Sequence, residues 1–126
     1  MALALEEWLN QADYDLATAQ AMLENGRNIY AVFMAHLAVE KALKGVYHKK
    51  FAEFPPRTHS LMFLLKKIEM DPSLALGEFM AELDQASVAT RYPEELFRLQ
   101  TAYPSGITQE IVEHAREVLV WVKKMF

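Results

Sequence analysis

Residues 29–50, IYAVFMAHLAVEKALKGVYHKK, decide the fold. Tyr30, Phe33, Met34, Leu37, Ala38, Leu43, Val46 and Tyr47 recur at the three-to-four-residue spacing of a helix and leave a polar strip only around His36, Glu40, Lys41 and Lys44. A helix that is apolar around most of its circumference needs cover on several sides, which makes this the central helix of a bundle. Ala31, Ala35, Ala38, Ala42 and Gly45 punctuate it at spacings of three and four, so neighbouring helices can approach closely.

Upstream, Leu5, Trp8, Ala12, Leu16, Ala19 and Leu23 alternate with Glu6, Glu7, Gln11, Asp15 and Gln20, which predicts an amphipathic helix from about Leu3 to Glu24. Asn25-Gly26 suits the left-handed close of that helix, and Asn28 suits the cap of the next. Downstream, Phe54-Pro55-Pro56-Arg57-Thr58 cannot be helical, because proline lacks the amide donor and forces its predecessor into extended conformation. Thr58 or Ser60 then caps a third helix carrying Leu61, Phe63, Leu64, Leu65 and Ile68, which ends before Asp71-Pro72. After Ser73 the pattern predicts a fourth helix to about Ala89, with Leu74, Leu76, Phe79, Met80, Leu83 and Ala86 inward and Glu78, Glu82 and Asp84 outward. Thr90 to Gly106 reads as a long irregular or partly helical link, and Thr108 as the cap of a last helix that buries Ile111, Ala115, Val118, Leu119 and Val122. No hairpin signal intervenes, so the fold class is all-α: an antiparallel up-and-down bundle of four to five helices, one domain over residues 1–126.

Composition agrees. A chain of 126 residues with 52% apolar and 24% charged side chains forms one core and is neither disordered nor membrane-spanning. The start runs directly into Glu6 and Glu7 without a leader pattern, so the chain reads as cytoplasmic. With no cysteine, thiolate sites are excluded, and the histidine–carboxylate spacings do not match a bundle metal centre; neither a metal nor a cofactor is expected. A net charge of -4 argues against a general polyanion binder, although Lys41, Lys44, Lys49, Lys50, Arg57, Lys66 and Lys67 concentrate basic charge in the middle. Trp8, Trp121, Tyr30, Phe33, Phe97 and Phe126, with seven methionines, either fill an elongated bundle or exceed what one small core hides; the second reading predicts a symmetric homodimer, which is the expectation.

Three constellations carry candidate chemistry. His36, Glu40, Lys44 and His48 climb one face of the central helix, either as a solvated, ion-paired stripe or as a gathered site. His59, at the start of the third helix, either packs on the proline connector or stands where free N–H groups receive an anion. Arg91-Tyr92-Pro93 suits phosphate contact and base stacking, or else a salt bridge to Glu94 or Glu95 with the phenol plugging the bundle end.

Taken together, Trp8, Ala12, Asp15-Leu16 and Ala19, then Ala38-Val39-Glu40-Lys41-Ala42-Leu43-Lys44, then Thr58-His59-Ser60-Leu61 and Arg91-Tyr92-Pro93 resemble the prokaryotic, nucleotidyltransferase-associated HEPN domain family over nearly the whole chain. The resemblance implies a dimerising helical bundle encoded beside a small nucleotidyltransferase, as half of a toxin–antitoxin-like pair. It implies binding of a nucleotide or of that partner through Glu40, Lys41, Lys44, His59, Arg91 and Tyr92. Many HEPN proteins are metal-independent endoribonucleases marked by Arg, four to six residues, then His. That signature is absent here: after Thr90 the one histidine is His114, too far from Arg98, and Arg57-Thr58-His59 is too short. If the chain cleaves RNA, His59 and Arg91 are the residues to do it, brought together within a protomer or across a dimer. A purely structural dimerisation module is the third reading.

Overall fold

In the computed structural model, which describes residues 4–91 and 96–126 and the side chains of all of these except Arg91, the apolar periodicity of the central segment becomes the longest helix, Asn28–Phe51. It is α2 in an order of six: α1 Leu5–Glu24, α2 Asn28–Phe51, α3 Leu61–Ile68, α4 Leu74–Arg91, α5 Leu96–Ala102 and α6 Ser105–Met125. No strand occurs among the described residues. α1, α3, α4 and α6 all pack on α2, and Ala31, Val32, Ala35, Ala38, Val39, Ala42, Leu43 and Val46 of α2 are wholly buried. Around them α1 contributes Ala12, Leu16 and Ala19, α3 Leu61, Leu64 and Ile68, α4 Met80 and Leu83, and α6 Val112, Ala115, Val118, Leu119 and Val122. The molecule is a bundle of helices around one contiguous apolar core.

The small residues do what their spacing predicts. A Cβ built on Gly45 would lie 2.6 Å from the Cβ of Trp8, so the α2 backbone lies directly against the stem of the Trp8 side chain on α1, at a point where no larger residue fits without displacement. Gly26 takes a positive φ of 73° to turn the chain from α1 into α2. Pro55 is buried in the connector, and Ser60 accepts the Phe63 N–H at 3.1 Å to cap α3.

Three local expectations are corrected. Asn28 is the first residue of α2 rather than its cap, and its side-chain amide donates across the bundle to the Tyr103 carbonyl at 3.0 Å. α6 begins at Ser105, not Thr108, directly after Pro104, its extended N-cap; the Thr108 hydroxyl, inside the helix, turns back onto the Tyr103 and Pro104 carbonyls. Leu74 is exposed, since it opens α4 before that helix reaches the core. The link after α4 is partly helical, one of the two forms the sequence allows: it contains α5, which buries none of its residues. No helix among the described residues is long and apolar enough to cross a membrane.

Candidate functional site

The polar stripe of α2 faces inward. His36 is fully buried, Glu40 is 4% exposed and His48 6%, so the solvated reading of the stripe fails. A buried carboxylate needs partners. Glu40 has two: Oε2 accepts from Lys44 Nζ at 3.1 Å, one turn along the same helix, and Oε1 lies 2.9 Å from His59 Nδ1. His59 comes from the proline connector, whose end is fixed by the Ser60 cap, and its side chain is 62% exposed. Bonded through Nδ1 to a buried carboxylate, the ring presents Nε2 to solvent.

Behind this pair lies a second carboxylate. Asp84 Oδ1 is 3.0 Å from His36 Nε2 and also accepts the Leu61 N–H at 2.9 Å, while Oδ2 accepts the Met62 N–H at 3.2 Å. Burial works against the charge of Asp84, but the His36 bond and the two N–H groups of α3 outweigh it and hold the carboxyl below its usual range. The same carboxylate occupies the positive end of α3. His36 Nδ1 has no hydrogen-bond partner and lies 3.9 Å from Glu40 Oε1.

The sequence-predicted residues therefore divide. Glu40, Lys44 and His59 meet in one cluster. Lys41 points the other way, with Nζ 2.9 Å from Asp15 Oδ2 of α1; that oxygen makes no aligned hydrogen bond, so the contact is one of charge alone. Arg91 ends α4, but its side chain and the whole of Tyr92 lie outside the described residues. His48, at the far end of the stripe, accepts the Trp8 indole N–H at 3.2 Å beneath the ring of Phe54. Two residues of the cluster were not in the predicted set. The sequence reads His36 only as part of the stripe and Asp84 as outward; apolar Met80, one helical turn before Asp84, is the sign in the sequence that this position faces in.

Chemically, an exposed imidazole nitrogen backed by a carboxylate can accept a proton or bind a hydroxyl or phosphate group, with the Lys44 ammonium nearby. Among the described residues no three carboxylates or histidines are grouped to hold a metal.

An all-helical bundle whose central helix carries Glu40 and Lys44 against a histidine-bearing connector defines a class, and comparison identifies it. The HEPN domain profile matches residues 5–125, and the chain belongs to the HEPN family. Among solved structures, TT1696 from Thermus thermophilus is similar at 27% identity and a TM-score of 0.82, covering 97% of this chain and 98% of its own. The archaeal HEPN homologue ST0689 is similar at 26% identity and a TM-score of 0.79, covering 98% of both chains. No curated protein matches.

Proposed function

We propose that this HEPN chain acts as a homodimeric binding module that takes a nucleotide, or a nucleotidyltransferase partner, at the exposed face of the Glu40–Lys44–His59 cluster, as one half of a two-gene, toxin–antitoxin-like pair. The observation that carries the reading is His59: a side chain 62% exposed is nevertheless fixed by a carboxylate that is 5% exposed. His59 serves buried Glu40 as a partner, and the ring so anchored has less rotamer freedom to lose on binding. The test is calorimetric titration of purified protein with ATP, with GTP and with a nucleotidyltransferase encoded beside it. Binding to at least one of these, weakened at least about tenfold by His59→Ala, is the expected result, about 1.4 kcal/mol. Binding to none of them leaves a structural dimerisation module.

A second reading, metal-independent RNA cleavage, is favoured by the same histidine–carboxylate pair, since a ring oriented through Nδ1 has the form of a general base. Cleavage of RNA in chelator, reduced by about 10²-fold or more in His59→Ala, supports it; cleavage indifferent to both His59→Ala and Arg91→Ala removes these residues from it.

A further inference from the structure

The ring of His59 is held at one atom, Nδ1 on Glu40, and the main chain that carries the ring needs holds of its own. Two groups outside the Glu40–Lys44–His59 cluster supply them. The Thr58 hydroxyl accepts the Ser60 N–H at 3.1 Å and so closes a turn around His59 itself. Asp84, from α4, accepts the Leu61 N–H at 2.9 Å and the Met62 N–H at 3.2 Å, with the Ser60 hydroxyl 3.5 Å from its Oδ2. We infer that Thr58 and Asp84 are positioning residues for His59, clamping the chain before and after it so that Nε2 stands at one place above the cluster.

An imidazole turns about two side-chain bonds, so a ring bonded through one nitrogen still swings its other nitrogen whenever its Cα moves. The connector gives that Cα little support: Phe54, Arg57 and His59 are exposed, and α3 has eight residues, too few for a helix to hold its first turn by its own hydrogen bonds. Ser60 caps the turn at the Phe63 N–H, but that bond stays within the connector and α3. Burial of Leu61 seats α3 on the core, yet apolar packing has no direction, whereas the two N–H bonds to Asp84 do. Asp84 belongs to a different helix and is itself held, with Oδ1 3.0 Å from Nε2 of buried His36. His59 is thus referenced to two helices. Glu40 of α2 sets the ring, Asp84 of α4 sets the start of α3, and the Thr58 turn joins His59 to that start. Misplacement by about 1 Å is enough to weaken a binding or catalytic group.

This inference rests on the reading that His59 meets the ligand, but its first test needs no ligand. In the full chain with ¹³C-labelled histidine, relaxation of the His59 Cε1–H is expected to give an order parameter near the roughly 0.85 of rigid backbone in the wild type and in Thr58→Ser. In Thr58→Val and in Asp84→Asn it is expected to fall below about 0.6. Thr58→Val removes only a hydroxyl at a half-buried position, so it stays informative should Asp84→Asn unfold. A merely structural role would lower the melting temperature and leave the ring ordered, so a folded variant whose His59 ring is as ordered as in the wild type overturns the inference. In a second arm, the ATP, GTP or nucleotidyltransferase binding that His59→Ala weakens is expected to weaken about threefold or more in Thr58→Val and to be kept in Thr58→Ser. Unchanged affinity in Thr58→Val overturns the positioning role. Absence of all binding, with the ring loosened as expected, removes the proposed function and leaves the clamp in place.

Discussion

At the scale of single residues, Asp84 of α4 ties α2 to α3. Its carboxylate receives the His36 ring and two N–H groups at the start of α3. Asp84→Ala strands these donors, and urea unfolding is expected to show a loss of roughly 2–4 kcal/mol. The pH dependence has a definite sign. The folded-state carboxyl titrates below its unfolded value, so its stabilisation is fully present above about pH 4, the unfolded range, and is lost as pH falls through the lower folded value. The difference in urea midpoint between wild type and Asp84→Asn is therefore expected to shrink in acid; a difference constant from neutral pH downward would mean that the charge is not what stabilises. The sequence displayed Glu40, Lys44 and His59 because each lies in a recognisable run. Asp84 was hidden, since an acid flanked by Leu83 and Gln85 on a helix reads as outward until the partner that binds it is known.

At the scale of elements, the contact of α1 with α2 depends on one missing methyl group. Gly45→Ala sets a Cβ against the Trp8 Cβ, an atom fixed to the backbone, so α1 must move. That overpacking costs roughly 1–3 kcal/mol, only partly offset by the roughly 1 kcal/mol better helix propensity of alanine. Gly77→Ala, whose Cβ meets nothing nearer than Pro72 at 3.6 Å, is expected to raise the melting temperature where Gly45→Ala lowers it. Thermal melts of the pair check the sign. Helix content, the proline break and the ladder of small residues were legible because local sterics and periodicity set them. Helix starts were less so. Asn28 and Thr108 have the chemistry of caps, yet each spends its side chain on the Tyr103 region, a tertiary choice that no local pattern records.

At the scale of the whole molecule, apolar surface remains uncovered. α5 buries nothing and exposes Leu96 and Phe97, and Tyr14 and Tyr30 are exposed on α1 and α2. Light scattering at micromolar concentration is expected to give the mass of two chains, and Phe97→Asp to shift it toward one; a wild-type mass of one chain removes the dimer. The bundle also contains its own optical gauge. Trp8 donates its indole N–H to His48 Nδ1 where α1 meets α2, with the imidazole ring set edge-on 6.3 Å away. Parting of α1 from α2 hands that N–H to water, so Trp8 emission reports the opening of this one joint, with Trp121, on another helix, as the second lamp.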